Sequence, residues 1–420
     1  MATLNIAIIG AGPGGCMLSR LLSLAPNASD IKTTIFEAEN SLDFRSQGGT
    51  LDLRTGTGLT AMKEAKLYDA FLKHARFDGE ALRICDKNLT TWMSVPGAEG
   101  ERSGGPVGRP EIDRKELRKI LAESVPEGVI RWGWKLKSID ENLAMHFENG
   151  QTEKGYDLIV GADGAWSKAR TFLSNQMPYY TGIGGHQLNI PDAASSAPEI
   201  YKLVNRGSIF NFSDGKAITA QQMGDGSINI STWSTRPEDW MKTSSYDTHD
   251  GPQTKAAILK EFHDWHPQLL DIPKSANDVV QPRSLYMLPV PFRWEHRPGV
   301  TLIGDAAHLM APFAGMGVNE ALTDALVLSR AIISIGNQGD SAKSLDAAVL
   351  EFENEMYNRT SKAQQTTEGM MNDMFFTKGA PRTSIESWLC RAVKSQLSPF
   401  LYPFAATAIY VGYFFWKLFH

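Results

Sequence analysis

The sequence predicts an α/β fold in which a nucleotide-binding domain is interrupted by a mostly antiparallel sheet. Two observations lead to this prediction. Three short apolar runs, typical of buried parallel strands, each end in a glycine-rich turn: the first glycine turn (residues 10–15), the second (161–164) and the third (304–308). Between the second and third turns, polar and apolar residues alternate with frequent turn signals, as in a half-exposed antiparallel sheet.

The N-terminal segment predicts a βαβ unit, with strands at residues 4–9 and 31–37 and a helix at 15–25. In the first glycine turn, Gly10, Gly12 and Gly15 fit the pattern G-x-G-x-x-G. The first glycine permits the tight turn, the second lets the backbone approach a pyrophosphate, and the third lets the helix pack closely. Free N–H groups at the helix start attract phosphate. We interpret this unit as a Rossmann-like dinucleotide site.

An acidic residue supports this interpretation. Glu37 closes the second strand, about 20 residues after the turn, where a carboxylate accepts hydrogen bonds from the ribose hydroxyls of an adenosine. Ala38 follows it instead of an arginine, so we expect an adenosine without a 2′-phosphate. The alternative is a solvated acid at the end of a strand.

The other two turns add further candidate ligands. Asp163 belongs either to the cofactor site or to an ordinary Asp-Gly turn with Ser167 and Arg170 on a helix surface. Asp305 follows a strand among small residues, where its carboxylate can accept a hydrogen bond from a ribityl hydroxyl. We expect His308 to lie in the core or behind the site. With three such turns at strand ends, the ligand is predicted to be non-covalent FAD, and no metal site is predicted.

A glycine-rich stretch follows the third turn and leads into a helix. The backbone N–H groups of Gly317, Val318 and Asn319 are predicted to stand near the flavin ring and to stabilise the anion of its reduced form. No catalytic side chain is predicted, because the cofactor carries the chemistry.

The remaining segments complete the domain prediction. Residues 59–74 and 111–123 are predicted to be helical, residues 80–92 to form a strand, and the chain from residue 345 onward to be helical. The predicted domains are FAD-binding segments 1–78, 103–178 and 284–340, substrate-domain segments 79–102 and 179–283, C-terminal helices 341–394, and an apolar tail 395–420.

Composition narrows the function classes. A formal net charge of −5 gives no basic footprint for nucleic acid. Three widely spaced cysteines make no disulfide framework, and the N-terminus opens on a strand without a secretory signal, which favours the cytoplasmic side.

The tail departs from the rest of the chain. Residues 395–416 carry no formal charge and are rich in aromatic side chains. Their length suits a bilayer-spanning helix, but Pro399, Pro403 and Gly412 weaken that prediction. The tail therefore either associates with a membrane or packs on the body or in an oligomer contact.

The three turns, together with residues 48–53, 109–118 and 304–319, resemble the FAD-dependent aromatic hydroxylase family with the para-hydroxybenzoate hydroxylase fold. Within that family, the likeness is closest to the tetracycline-modifying flavin monooxygenases. The resemblance implies that Glu37 holds the adenosine ribose. It also implies that Asp52, Arg118 and Asp305 line the ribityl chain and pyrophosphate, and that Arg45 contacts NADPH.

The substrate side departs from the tetracycline-modifying pattern. Gln187 falls where those enzymes have a substrate-side glutamine, but Ser208 and Asn229 fall near the positions of their arginine and histidine. Arg206 is a candidate replacement for the arginine. Pro312 and Met316 are expected near the flavin ring. These departures argue against tetracycline itself, and the apolar tail resembles those of fungal secondary-metabolite flavin monooxygenases.

The resulting hypothesis is an FAD-dependent monooxygenase that uses NADPH and O2. It would transfer one oxygen atom, through a flavin C4a-hydroperoxide, to a hydrophobic, electron-rich aromatic, polyketide or terpenoid molecule. Two alternatives stay open: an FAD-dependent dehydrogenase or reductase without oxygen insertion, and a non-catalytic, membrane-tethered flavoprotein.

Overall fold

The computed structural model describes residues 3–42, 48–96, 109–335, 344–394 and 397–419. The chain divides into two compact units, each built from three separate segments. Unit 1 comprises Met1–Ala75, Pro106–Tyr179 and Tyr286–Gln365, and unit 2 comprises Arg76–Gly105, Tyr180–Leu285 and Thr366–His420.

The strands, in chain order, are β1 Leu4–Ile9, β2 Ile31–Glu37, β3 Thr50–Asp52, β4 Leu82–Cys85, β5 Thr91–Val95, β6 Glu111–Asp113, β7 Ile130–Trp132, β8 Leu136–Ile139, β9 Met145–Phe147, β10 Thr152–Glu153, β11 Leu158–Gly161, β12 Tyr179–Ile190, β13 Ser208–Ser213, β14 Lys216–Gln222, β15 Ile228–Thr235, β16 Gln281–Met287 and β17 Val300–Leu302. The α-helices are α1 Pro13–Ser23, α2 Gly58–Glu64, α3 Tyr68–Leu72, α4 Arg114–Glu123, α5 Arg170–Leu173, α6 Ala193–Ser196, α7 Pro198–Val204, α8 Trp240–Thr243, α9 Gly251–Glu261, α10 Pro267–Lys274, α11 Asp305–His308, α12 Gly317–Ile335, α13 Leu345–Met371, α14 Ile385–Lys394 and α15 Tyr402–Lys417.

Unit 1 is built around a five-stranded parallel sheet in the order β17-β11-β1-β2-β7. Its central strands are buried on both faces, as their continuous apolar sequences require. Ile9 pairs with Gly161, and Gly161 with Leu302, so β1, β11 and β17 end at the same level. The three glycine turns therefore leave one edge of the sheet side by side, as the sequence predicts.

Unit 2 contains a seven-stranded sheet in the order β16-β12-β15-β14-β13-β4-β5. Neighbouring strands are antiparallel in the pairs that join β12, β15, β14 and β13, whereas β13 and β4 run parallel. Alternate side chains such as Leu188 and Ile230 form a second apolar core with residues of α7, α9 and α10. The α/β fold class with a mostly antiparallel sheet is confirmed.

Three element predictions need correction. The single helix expected at 59–74 is the two helices α2 and α3, and Lys66 between them has a positive φ of 57°. The helix expected at 111–123 begins at Arg114, because Glu111–Asp113 pair with β3 and bury Ile112 between two polar neighbours. The single strand expected at 80–92 is two strands. Asp86 turns the chain between them by accepting hydrogen bonds from the backbone N–H groups of Asn88 and Thr90.

The tail forms the 16-residue helix α15. Among the helices of the described ranges, none combines the length and the hydropathy that a bilayer crossing requires.

Candidate functional site

In the first glycine turn, two glycines are required by the packing of the backbone, and a third leaves room for a ligand. At Gly10, where φ is +106°, an added Cβ would lie 2.4 Å from the Ala162 carbonyl oxygen, and at Gly15 it would lie 2.1 Å from the Gly10 oxygen. At Gly12, the nearest atom to such a Cβ is 4.0 Å away. The protein itself therefore requires Gly10 and Gly15. Gly12 keeps the approach to the start of α1 open, which suits a phosphate group.

Glu37 stands directly beside this turn. It is buried at the end of β2, where one carboxylate oxygen accepts a hydrogen bond from Ala11 N at 2.6 Å and the other accepts one from Glu39 N at 2.9 Å. Because a carboxylate offers about four acceptor positions, capacity remains for ribose hydroxyls. The structure therefore brings Glu37 to the first turn, with geometry compatible with the predicted role.

Arg118 supplies a charged donor to the same region. Its Nη2 donates to Glu39 Oε2 at 2.5 Å, while its Nη1 is buried and has no acceptor in the described part of the chain. A buried charged donor without a partner is costly, so an anionic ligand at this point would relieve the cost. Burial, together with the charge of Glu37, raises the pKa of the Cys16 thiol in α1 to about 12, and the positive charge of Arg118 acts in the opposite direction.

The carboxylate of Asp163 accepts hydrogen bonds from the turn in which it lies. One carboxylate oxygen accepts from Ser167 Oγ at 2.5 Å, and the other accepts from Lys168 N at 2.7 Å and Ala169 N at 3.1 Å. Both oxygens thus stabilise the start of α5, as in the alternative of an Asp-Gly turn. The assignment of Asp163 to the cofactor site stays a prediction.

Arg170 is not the helix-surface residue of that alternative. Its side chain is 1% exposed, and it donates to Ala165 O at 2.6 Å and to Ala306 O at 3.0 Å. Those bonds tie the segment after the second glycine turn to the third. The surface expectation fails because the guanidinium reaches across to backbone carbonyl groups of a segment distant in sequence.

The third glycine turn presents a carboxylate without a protein donor. Asp305 is exposed, and no described residue donates a hydrogen bond to its carboxylate. Desolvation by the surrounding protein nevertheless raises the pKa of Asp305. The positive charges of His308, Arg114 and Arg170 lower it by a smaller amount. An exposed carboxylate without a protein donor is able to accept a hydrogen bond from a ligand. It suits a neutral hydroxyl donor such as the ribityl chain.

Arg114 is a site residue that the sequence prediction missed. Desolvation lowers its pKa and the charge of Asp305 raises it, so the two side chains act on each other electrostatically. Arg114 and Arg118 are four residues apart on α4 and therefore share one face of the helix. That spacing was visible in the sequence and could have indicated Arg114.

A buried ionic network holds the third turn from behind. One carboxylate oxygen of Asp324 accepts from Gly304 N at 2.8 Å and lies 2.6 Å from His308 Nε2, and the other accepts from Arg359 at 2.9 Å. Burial raises the pKa of Asp324, but His308 and Arg359 outweigh it, so the pKa is lowered.

The same pair shifts the histidine in the opposite direction. Burial lowers the pKa of His308, but the carboxylate of Asp324, with smaller effects of Glu320 and Asp305, raises it overall. His308 is 2% exposed, so its predicted position in the core is confirmed. Asp324 and Arg359 gave no signal in the sequence, because they lie on α12 and α13, away from any glycine motif.

Asn319 is fixed by its side chain. Its Nδ2 donates to Asp52 O at 2.8 Å, and its Oδ1 accepts from Arg54 N at 2.9 Å. The side chain therefore anchors the start of α12 to the segment after β3. Only the backbone of Asn319, with that of Gly317 and Val318, is left for the predicted contact with a flavin ring.

Asp52 also lies beside the start of α12. Its carboxylate accepts from Arg54 Nε at 2.9 Å, and Arg54 Nη2 donates to Ala314 O at 2.6 Å. Pro312 is exposed and Met316 partly exposed in the loop before α12. The structure thus brings Asp52, Pro312 and Met316 to the N-terminal side of α12. Arg45, predicted to contact NADPH, lies outside the described residues.

The predicted substrate residues of unit 2 lie apart from one another. Gln187 is on β12, two positions along the strand from Asn189, and accepts from Arg283 Nε at 3.1 Å. Asn189, Asn229, Gln221 and Ser208 form one row across four strands. Arg206 is exposed after α7 and lies 3.5 Å from Asp78, outside that row.

Comparisons with known proteins agree with this geometry. A family model described as "FAD binding domain" matches residues 3–354. The protein "Monooxygenase penA" of Penicillium thymicola is 29% identical over 419 residues, covering 86% of this chain and 93% of that protein.

Two solved structures share the fold. HpxO of Klebsiella pneumoniae, complexed with FAD and uric acid, has a TM-score of 0.72 and 18% identity, covering 97% of this chain and 96% of that one. Tetracycline destructase Tet(55) has a TM-score of 0.67 and 19% identity, covering 94% and 97%. The family model spans most of the chain and the site fits its cofactor. The chain therefore belongs to the FAD-binding family that this model describes and is an FAD-dependent monooxygenase with the para-hydroxybenzoate hydroxylase-like fold.

Proposed function

We propose that this monooxygenase uses NADPH and O2 to insert one oxygen atom into a hydrophobic, electron-rich small molecule of secondary metabolism. An aromatic, polyketide or terpenoid compound is the proposed substrate class. The likeness to Monooxygenase penA and the departures from the tetracycline-modifying pattern support this choice.

The observation that carries the proposal is the edge where the three glycine turns meet. Within unit 1 this edge offers an open helix start at Gly12, an unpartnered donor on Arg118 and an undonated carboxylate on Asp305. These groups match a pyrophosphate at one end and a polyhydroxyl chain at the other, which are joined in FAD.

When bound, FAD supplies the redox chemistry that activates dioxygen. The protein's residues bind and orient the cofactor. Glu37 would accept hydrogen bonds from the ribose hydroxyls, Arg118 would neutralise phosphate charge, and Asp305 would accept a hydrogen bond from a ribityl hydroxyl. The N–H groups at the start of α12 stabilise negative charge on the ring, because a helix N-terminus carries a partial positive charge.

We propose Pro312 and Met316, before the start of α12, as substrate contacts within unit 1. Gln187 is a further proposed substrate contact that rests on the family resemblance alone. Arg206 is the fourth proposed contact: its exposed guanidinium, which lies 3.5 Å from Asp78, would exchange that partner for a polar group of the substrate. The polar row of Ser208, Gln221, Asn229 and Asn189 supports recognition of an oxygen-bearing compound by hydrogen bonds.

We propose that Arg45 contacts NADPH. Arg45→Ala should slow reduction of the bound flavin by NADPH while leaving FAD content intact. Arg297→Ala is a matched control, because this partly exposed arginine packs over Phe172 at the far end of β17. Equal reduction rates in the Arg45 variant and wild type would remove Arg45 from the proposal.

The decisive experiment uses labelled dioxygen with the purified holoprotein and a panel of aromatic and prenylated compounds. Product carrying one labelled oxygen atom, with stoichiometric NADPH oxidation, is expected. Oxidised product without label would favour a dehydrogenase or reductase. A bound flavin that NADPH does not bleach would favour a non-catalytic flavoprotein.

We also propose that the protein works on the cytoplasmic side of the cell. Cys16, Cys85 and Cys390 are buried and unpaired, which suits a reducing compartment.

A further inference from the structure

The C-terminal end of unit 2 exposes an unusual amount of apolar surface. We define the apolar C-terminal face by its exposed side chains: Phe400, Leu401, Phe404, Val411, Phe414, Phe415, Leu418 and Phe419. Each of them is between 50% and 82% exposed. Isolated apolar residues are common on protein surfaces, but a contiguous patch of this kind marks an interaction site.

This face has a fixed orientation, because the opposite side of α15 is attached to unit 2. Tyr413 Oη donates to the Trp92 carbonyl oxygen at 2.5 Å, and the Trp416 ring lies 4.7 Å from the Trp92 ring, centroid to centroid. Lys417 Nζ donates to Glu386 Oε1 at 2.6 Å. Tyr413 and Trp416 recur at helical spacing on the attached side, so the remaining aromatic side chains are directed outward.

The charges near α15 favour an anionic surface over a second copy of the chain as the partner of this face. After Glu386 the sequence contains Arg391, Lys394 and Lys417 but no Asp or Glu. Arg391 is paired with Asp373 at 2.9 Å and Lys417 with Glu386 at 2.6 Å, but the sequence from Asp373 onward still carries five cations against two carboxylates. Two copies packed symmetrically through α15 would bring these net positive charges together. An anionic surface complements them, and it also accommodates Phe, Tyr and Trp side chains at its boundary.

The helix is suited to lie on a bilayer. Its 16 residues reach about 24 Å, short of the roughly 30 Å of a hydrocarbon core. Its Lys417 end is also held to Glu386 in α14. We propose that the apolar C-terminal face docks in the plane of an anionic lipid surface, with α15 parallel to the membrane. This docking is independent of the oxygenation reaction.

An open groove of about 230 Å³ runs along the same helix. It is lined by Trp92, Ala408, Ile409, Gly412, Tyr413 and Trp416. Its aromatic and small apolar walls would accept part of an acyl chain, which agrees with a lipid occupant.

The test is flotation of the full-length holoprotein with phosphatidylcholine vesicles, with and without phosphatidylserine. Wild type should float with the anionic vesicles and bind less as salt is raised. Val411→Asp/Phe414→Asp should reduce the bound fraction roughly tenfold or more, because two charges would enter the apolar boundary. Val279→Asp is the matched control, because Val279 is 66% exposed elsewhere in unit 2.

Several outcomes overturn the proposal. Wild type that stays with the unbound fraction at every vesicle composition excludes a lipid surface. Equal loss in the Val279 variant shows that added charge alone, rather than this face, controls binding. A concentration-dependent dimer in light scattering that the double substitution abolishes assigns the face to a second copy. Flavin absorbance and thermal unfolding of each variant establish that the fold is kept, and Phe415→Ala provides a milder second variant.

Discussion

The first and third glycine turns leave the same edge of one sheet, but they are held by different means. In the first, backbone meets backbone, and Gly10 and Gly15 are required because a Cβ would collide with carbonyl oxygens. In the third, the buried carboxylate of Asp324 joins Gly304, His308 and Arg359 by hydrogen bonds and charge.

The two turns also differ in the groups that they offer to the ligand. The first turn offers backbone N–H groups whose positions follow from sterics alone. The third offers the free carboxylate of Asp305, and such a group stays in place only if the turn that carries it is rigid. Backbone recognition needs glycines, whereas side-chain recognition needs a second layer of residues behind it.

The largest effect is expected from placing a methyl group at the first turn. Gly15→Ala puts a Cβ 2.1 Å from a backbone oxygen and should cost about 4 kcal/mol or more of unfolding free energy. Gly12→Ala meets nothing closer than 4.0 Å, so it should fold and lose FAD affinity instead. Urea unfolding measures the loss of stability and flavin titration the loss of affinity. Equal stability of both variants would contradict the assignment of Gly15 to packing and Gly12 to the ligand.

The next effect tests the network behind the third turn. Asp324→Ala leaves the buried His308 without its carboxylate, although the partly buried Arg359 keeps Glu320 and Glu355, and should cost about 3–5 kcal/mol in urea unfolding. The control is Asp346→Ala, which removes the half-exposed partner of His296 at 3.1 Å and should cost under about 1 kcal/mol. Similar losses in the two variants would show that the buried pair has no special role.

Asp305→Ala should act on the ligand rather than on the fold. Because its carboxylate has no protein donor, unfolding of the apoprotein should be unchanged, while FAD binding weakens roughly tenfold or more. Asp163→Ala is the opposite case, since its carboxylate accepts three hydrogen bonds from its own turn. Asp163→Ala should therefore lower the free energy of unfolding of the apoprotein, which Asp305→Ala should not. Full FAD occupancy after purification of the Asp305 variant would refute its assignment.

The smallest effect is a pH dependence. The pKa of His308 is raised in the folded protein, so its stabilising contribution is complete below its ordinary value of about 6.5 and is lost as pH rises through the raised value. Wild type should therefore lose unfolding free energy above neutral pH relative to His308→Gln. Parallel pH profiles of the two proteins would mean that the charged pair does not form.

Sequence patterns were most informative where the requirement is local. The strands at 4–9 and 31–37, the three turns and Glu37 are set by runs and spacings within a few residues, and the structure brings them to one edge. Arg118 lies near the first turn, and its assignment to the pyrophosphate stays a prediction, whereas Arg114, one helical turn earlier, acts on Asp305 together with Arg170 and His308. Helical spacing shows which face an arginine shares, not which ligand atom it meets.

Other parts stay predictions or escaped prediction. The domain boundaries, the NADPH contact of Arg45 and the substrate contacts of Gln187 and Arg206 are untested. Arg170 was expected on the surface in one alternative, and it is buried because its guanidinium donates both to the nearby carbonyl of Ala165 and to that of Ala306, more than a hundred residues away.

The sequence alone determined the strands that end in the three glycine turns and the places where glycine is needed, because strand period and backbone sterics act between near neighbours. Only the tertiary structure decided which side chains support Asp305, that Asn319 is an anchor, and which face of α15 is exposed. Those outcomes depend on contacts between helices far apart in the chain, and no local pattern encodes them.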